Sequence, residues 1–346
     1  MIQPMGRAGV IGAGSWGTTL ASVLADNGYD VDLWVFETDL FEIIRDSREN
    51  TIYLPGCPLD SRITPHNDLE RVVRGQTFLV MVVPSHVYRQ VALRMIPFLE
   101  RGALLVSATK GIENDTLLTM SGIWRDILPV EDLVHLLCLS GPSFAREVIR
   151  RIPTAITVAG DRIEAAREVQ QAFSTPYFRV YTSLDRIGVE LAGALKNVIA
   201  LAAGACDGLG FGHNTRAALI TRGLAEMTRL GVRMGAHPLT FSGLSGIGDL
   251  LLTCTGDLSR NRTVGMQLGQ GRKLEDILGE MRMVAEGVKT ARSVHALGHR
   301  MGVDMPICDQ VYKVLYEDKD PREAVRDLMD RDLKHEMDLE YTCQVD

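Results

Sequence analysis

The chain has 346 residues, 46% of them hydrophobic and 23% charged, with a net charge of −7 and a pI near 5.7. That length suits two domains, each able to bury a core, and the acidic balance argues against broad nucleic-acid binding while leaving room for a local basic pocket. Six scattered cysteines, none in C-x-x-C and none spaced with histidines as in a zinc site, point to a reducing compartment. No signal-peptide pattern is present, and the richest apolar run, residues 191–205, is broken by Lys196 and Asn197, so a cytoplasmic protein without a membrane span is expected.

The chain opens on a short apolar run, Val10-Ile11, that leads into Gly12-Ala13-Gly14-Ser15-Trp16-Gly17 and then an amphipathic stretch closed by Gly28. Strand, glycine turn and helix in that order make a dinucleotide-binding βαβ unit. Gly12 serves the tight turn, Gly14 the approach of the backbone to a pyrophosphate, and Gly17 the close packing of the helix on the strand. The helix start adds free N–H groups and the positive end of its dipole. Strands are expected at residues 8–11, 31–35, 78–83, 104–108, 136–140, 155–158 and 178–181, with helices at 16–27, 40–47, 85–99, 117–128 and 163–173. Several of the strands are continuous apolar runs, the mark of parallel strands covered on both faces. From about residue 186 strand signals stop, and helices are expected at 187–204, 216–230, 260–269, 273–278, 288–301, 305–316 and 321–331. The fold class is therefore α/β: a doubly wound Rossmann domain over residues 1–185, and an all-helical domain over 186–346 that ends in a polar tail.

Candidate functional residues fall at the carboxyl ends of the strands, where open α/β sheets bind ligands. Glu37, about 20 residues past the glycines, is placed to accept hydrogen bonds from an adenosine ribose. Its charge would repel a 2′-phosphate, which leans the cofactor toward NAD(H) over NADP(H), with Phe36 against the adenine; a solvated surface glutamate is the plain alternative. Val82-Val83-Pro84-Ser85 and Thr109-Lys110-Gly111 end two further strands; the first turn is placed beside the nicotinamide half, and Lys110 could meet a phosphate or an oxyanion. The segment from Ser140 through Gly141 and Ser143 to Ala145 offers N–H groups and a hydroxyl to a small polar substrate.

Lys196 is the most informative residue. It and Asn197 are the only strongly polar side chains in a helix that is apolar nearly all round, and a buried lysine needs a partner or a depressed pKa. Asp249 is the lone charge in the run 243–253; it could pair with Lys196, or cap a helix over 250–254, or both. Ser259 reads as the N-cap of a helix whose first turn holds Arg260 and Asn261, an anion site of guanidinium and helix N–H groups.

These motifs together identify a resemblance. GAGSWGTTLA (12–21), VVPSH (82–86), TKGIE (109–113), LSGPSFA (139–145), LKNVIALAAG (195–204), SGIGDLLLTCTGDLSRNR (245–262) and VAEGVKTA (284–291) resemble NAD(P)-dependent glycerol-3-phosphate dehydrogenase over almost the whole chain. The resemblance implies a Rossmann domain, a helical domain like that of 6-phosphogluconate dehydrogenase, and a dimer. It implies Lys196 as catalytic acid–base, with Lys110, Asp249 and Thr253 around the reacting centre. Asn197, Ser259, Arg260 and Asn261 would bind the substrate, chiefly its phosphate, with Gly141 and Ser143 nearby. Gly12, Gly14, Ser15, Trp16, Gly17, Phe36, Glu37, Val83, Pro84, Lys110, Ala145, Arg260, Val284 and Glu286 would face the cofactor. Many bacterial members carry a basic or small residue near Phe36; Trp34-Val35-Phe36-Glu37 looks more like the eukaryotic, NAD-using branch. The implied reaction interconverts dihydroxyacetone phosphate and sn-glycerol 3-phosphate for glycerophospholipid synthesis and calls for no metal. The alternatives are another dehydrogenase of the 6-phosphogluconate or hydroxyacyl-CoA type, or an NAD-sensing module without turnover.

Overall fold

The computed structural model describes residues 6–128, 134–281, 285–333 and 335–336. The first half runs β1 (Gly6–Ile11), α1 (Ser15–Asp26), β2 (Tyr29–Trp34), α2 (Thr38–Ser47), β3 (Ile63–His66), α3 (Leu69–Val73), β4 (Phe78–Met81), α4 (Tyr88–Met95), β5 (Ala103–Ser107), α5 (Met120–Ile127), β6 (Val134–Ser140), α6 (Ala145–Val148), β7 (Thr154–Gly160), α7 (Ile163–Phe173) and β8 (Phe178–Ser183). The strands form one sheet in the order β3-β2-β1-β4-β5-β6-β7-β8. The winding reverses between β1 and β4, which opens a crevice at their carboxyl ends. Apolar cores cover both faces, one built on α1, α2 and α7 and the other on α3, α4 and α5.

Several features differ from the sequence expectation: the short helices α3 and α6 were not foreseen, and three further differences shape the sheet and its connections. Strand β3 was not foreseen, because Ile63-Thr64-Pro65-His66 has no apolar run. It is an edge strand paired only with β2, where a proline without an N–H is tolerated. Polar contacts tie it in: buried Asp32 of β2 accepts from Arg7 at 2.8 Å and Gln76 at 2.9 Å and lies 2.8 Å from His66 Nε2. Second, β7 runs antiparallel to β6, while the other neighbours are parallel. The connection holds only the four-residue α6, about 6 Å of helix at 1.5 Å per residue. No helix there can carry the chain back across a face, so it returns from the end it reached. Third, the helix expected at 85–99 is split: α4 is flanked by 3-10 turns at Ser85–Val87 and Ile96–Phe98, with Pro97 in the second.

The second half is helical: α8 (Arg186–Gly208), α9 (His213–Arg233), α10 (Pro238–Phe241), a π-helical turn (Leu244–Gly248), α11 (Asp249–Thr255), α12 (Arg260–Gly269), α13 (Leu274–Glu280), α14 (Glu286–Met301), α15 (Pro306–Tyr316) and α16 (Pro321–Met329). Asp185 caps α8 by accepting from the Gly188 amide at 2.9 Å. By length and composition α8 could cross a membrane, and Lys196 and Asn197 do not interrupt it as the sequence suggested. Here most of the helix is buried, against α9, α11, α12, α14 and α15. The crossing of α8 and α12 is backbone on backbone: a Cβ on Gly204 would meet the Arg262 carbonyl oxygen at 2.0 Å, and one on Gly265 the Leu201 carbonyl oxygen at 2.0 Å.

Candidate active site

The glycine turn behaves as its sequence predicts. Gly12 has a φ of +115°, and a Cβ on Gly17 would stand 1.9 Å from the Gly12 carbonyl oxygen, so β1 and α1 close tightly. A Cβ on Gly14 would meet nothing within 4 Å, which leaves that stretch of backbone open at the N-terminus of α1. Asn50 braces the turn from behind, donating to the Ala13 carbonyl and the Thr18 hydroxyl at 2.8 Å each. These features fit the pyrophosphate of a dinucleotide.

A cleft of about 810 Å³ runs from this turn to the start of α12. Its wall includes Gly12, Gly14, Ser15, Trp16 and Gly17, then Val83 and Pro84 after β4, Lys110 after β5, and Ser143 and Ala145 after β6. From the helical half come Lys196, Asn197, Thr253, Ser259, Arg260, Asn261 and Glu286. Gly141 and Asp249 stand behind this wall. The Gly141 carbonyl accepts from Lys110 at 3.4 Å and from the Ser143 hydroxyl at 3.0 Å. Val284 lies outside the described residues.

At the centre, Lys196 projects from the middle of buried α8. Its Nζ donates to Asp249 Oδ1 at 2.5 Å and to the Thr253 hydroxyl at 2.7 Å. Lys110, from the other half of the molecule, donates to Asp249 Oδ2 at 2.6 Å. Asp249 is the first residue of α11, and the N-cap position belongs to Gly248. The capping alternative is thereby excluded: the carboxylate is committed to two ammonium groups. The π-helical turn before α11 aims it there, a use to which π turns are often put. Burial lowers the Lys196 pKa to about 8, with Asp249 opposing that shift and Lys110 adding to it. Burial pushes the Asp249 carboxyl up, but the two lysines outweigh it and hold it below its ordinary value. Two ammonium groups face one carboxylate, so the cluster carries surplus positive charge next to the cleft.

The anion end is built on the first turn of α12. Ser259 is the N-cap, accepting from the Arg262 amide at 3.2 Å. Asn261 donates to Asn197 Oδ1 at 2.9 Å and accepts from the Gly287 amide at 2.9 Å, which locks α8, α12 and α14 together. Burial lowers the Arg260 pKa, and the nearby Glu286 carboxylate counters it. Arg262 points elsewhere and pairs with Asp207 at 2.8 Å and Asp257 at 3.0 Å.

Sequence reasoning missed several residues. Ser85 gives Glu286 both its hydroxyl, at 2.6 Å, and its amide, at 3.3 Å, which bridges the two halves across the cleft mouth. At the far end Phe36 is 68% exposed and packs edge-on against Trp34. The Tyr53 hydroxyl donates to Glu37 at 3.4 Å, and the Arg94 guanidinium lies 5.7 Å from the Trp34 ring centre. The sequence marks the turn that holds Ser85 but not its partner Glu286 across the cleft; the signal for Arg94 is its helical spacing with His86 and Gln90, all of which line the cleft.

Comparison with known proteins agrees with this geometry. Residues 7–166 match the family model of the NAD-dependent glycerol-3-phosphate dehydrogenase N-terminus, and residues 185–326 match that of its C-terminus. The chain is 70% identical to glycerol-3-phosphate dehydrogenase [NAD(P)+] of Syntrophobacter fumaroxidans, over 98% of this chain and 99% of that one. It is 60% identical to the enzyme of that name from Geobacter sulfurreducens, over 95% and 98%. The crystal structure of glycerol-3-phosphate dehydrogenase from Coxiella burnetii superposes with a TM-score of 0.90 at 38% identity, covering 95% of this chain and 99% of that one. The Plasmodium falciparum glycerol-3-phosphate dehydrogenase gives 0.85 at 25% identity, over 96% and 97%. The chain belongs to the NAD-dependent glycerol-3-phosphate dehydrogenase family.

Proposed function

We propose that this cleft carries out the family's reaction, the NAD(P)H-linked interconversion of dihydroxyacetone phosphate and sn-glycerol 3-phosphate, with the residues above in defined roles. The enzyme supplies glycerol 3-phosphate for glycerophospholipid synthesis. The observation that carries the assignment of roles is Lys196: a buried ammonium, held by Asp249 and Thr253, that still reaches the cleft.

The coenzyme, when bound, supplies the hydride. Lys196 holds a proton at Nζ for the oxygen of the C2 carbonyl, and a pKa near 8 makes that proton transferable close to neutral pH. Asp249 fixes the Nζ position, and Lys110, on the same carboxylate, adds positive field where negative charge develops. These two ammonium groups bring the charge that a metal brings in other dehydrogenases. Arg260, Asn261 and the α12 N–H groups take the phosphate, supported by Asn197 and Ser259, with Gly141 and Ser143 shaping the opposite wall. This handle, remote from the reacting carbon, orients the carbonyl.

Ser15, Trp16, Val83, Pro84, Ala145 and Glu286 are read as the coenzyme contacts. Glu37 at the rim supports a preference for NAD(H), with Phe36 as the adenine platform. The division into domains is placed between residues 185 and 186, where Asp185 caps α8. A cytoplasmic homodimer is the assembly we expect; the five described cysteines form no disulfide, which suits a reducing compartment, and sedimentation tests the dimer.

The test is the loss of reduced-nicotinamide absorbance on adding dihydroxyacetone phosphate, with NADH and NADPH in parallel. Loss with NADH in excess of NADPH supports the reaction and the Glu37 role. Equal loss keeps the reaction and removes Glu37 as selector. No loss from protein that binds coenzyme turns the reading to another dehydrogenase or to a sensor.

A further inference from the structure

Helices α14 and α15 carry a second cluster of chemically able side chains. His295 and His299 stand four residues apart on α14, which brings both rings to one face. Asp309, in the first turn of α15, reaches the same spot, its Oδ1 lying 2.8 Å from His295 Nδ1. The imidazoles meet edge to face with centres 4.4 Å apart, and one ligand atom from each of the three side chains lies within 4.8 Å of the other two. Tyr312 stacks on His295 at 3.9 Å with the planes 3° apart, which fixes that ring. His299 is exposed, so the cluster is open to solvent on one side.

The geometry points to a divalent transition-metal site of the zinc class, bound by His295, His299 and Asp309 and clamping α14 to α15. Two imidazoles and a carboxylate suit Zn²⁺ and its neighbours, whereas Mg²⁺ prefers an all-oxygen shell. Tetrahedral ligation at about 2.0–2.1 Å sets ligand atoms about 3.3 Å apart. The His295–Asp309 pair is already near that separation. The exposed His299 ring closes the remaining gap, at most about 1.5 Å, by side-chain rotation, and water takes the fourth position. Arg300, next to His299, is turned away, its guanidinium donating to the Thr116 carbonyl at 3.5 Å. His295 stands nine positions along α14 from Glu286 in the cleft, about 14 Å along the axis, so the site stands apart from the reacting groups.

The test titrates the full chain, without any affinity tag, with ZnCl2 and separately with MgCl2 in a calorimeter. One zinc per chain is expected, with no magnesium heat, and binding weakened about tenfold or more in both His299→Ala and Asp309→Asn. Zinc also raises the melting temperature of the unaltered chain, and raises that of His299→Ala less at the same zinc concentration. His299 is exposed, so the metal-free variant melts with the parent. Absence of stoichiometric zinc binding overturns the proposal, and so does undiminished affinity in both variants, which would place the ion elsewhere, for example on Cys57.

Discussion

Lys196 stands where an ammonium group is costly, and its chemistry follows from that cost. In the proposed role, ketone reduction needs the protonated form. With burial lowering its pKa to about 8, kcat/KM for reduction is expected to fall as pH rises through about 8, while oxidation of glycerol phosphate rises over the same interval. Lys196→Ala loses nearly all turnover in both directions yet binds coenzyme; a variant with near-parental turnover removes the residue from its role. A second buried group acts on stability. Glu226 of α9 accepts the amides of Ile307 at 2.7 Å and Cys308 at 3.2 Å at the start of α15. Burial nevertheless raises its pKa to about 7, against the pull of those amides. The folded state thus holds this proton more tightly than the unfolded chain, and its stabilising share is full below the ordinary carboxylate range and lost as pH rises through about 7. Melting curves from pH 5 to 8 are expected to show that decline in the parent and a flatter profile in Glu226→Gln. Lys196 and Asp249 were legible because each is a lone charge in an apolar run. Tyr53, Arg94 and the pairing of Ser85 with Glu286 were not, because only the fold brings such ordinary polar residues together at the cleft.

Among the elements, the crossing of α8 and α12 sets the geometry of the anion end. The two backbones touch at Gly204 and Gly265, and this contact brings the first turn of α12 beside Asn197. Gly265→Ala forces a methyl group onto a carbonyl and is expected to cost about 3 kcal/mol or more, read as a lowered melting temperature. The survivors bind dihydroxyacetone phosphate less well, since Arg260 and Asn261 shift with their helix; an unchanged KM would separate the crossing from the phosphate site. Most elements were legible from apolar periodicity and stop signals. The edge strand β3 was hidden by its short polar sequence. The antiparallel β7 was hidden because an apolar run does not encode direction, and the π turn because Gly243 to Gly248 reads equally as a loop.

For the molecule as a whole, two of the contacts that join the halves lie at the cleft, Lys110 with Asp249 and Ser85 with Glu286. In the proposed reading the coenzyme would lie along the same seam, so the residues at its far end test the arrangement. Glu37→Ala is expected to narrow the preference for NADH over NADPH, measured as the ratio of the two kcat/KM values; an unaltered ratio means that another group, such as Arg94, decides it. The doubly wound half and the helical half were both legible, because the change of grammar near residue 186 is abrupt; the pairing of residues across the seam was not, since it joins positions as far apart as 110 and 249. One consequence concerns the birth of the chain. Most of the cover of α8 comes from helices that follow it in sequence, the last of them, α15, ending at Tyr316. While the ribosome is making those residues, the nascent protein displays an apolar helix long enough to pass for a membrane segment. Polypeptides that stall or are cut before α12 should therefore be the ones that chaperones retain and that precipitate without them, whereas the Rossmann half, finished earlier, leaves the tunnel with its own core complete.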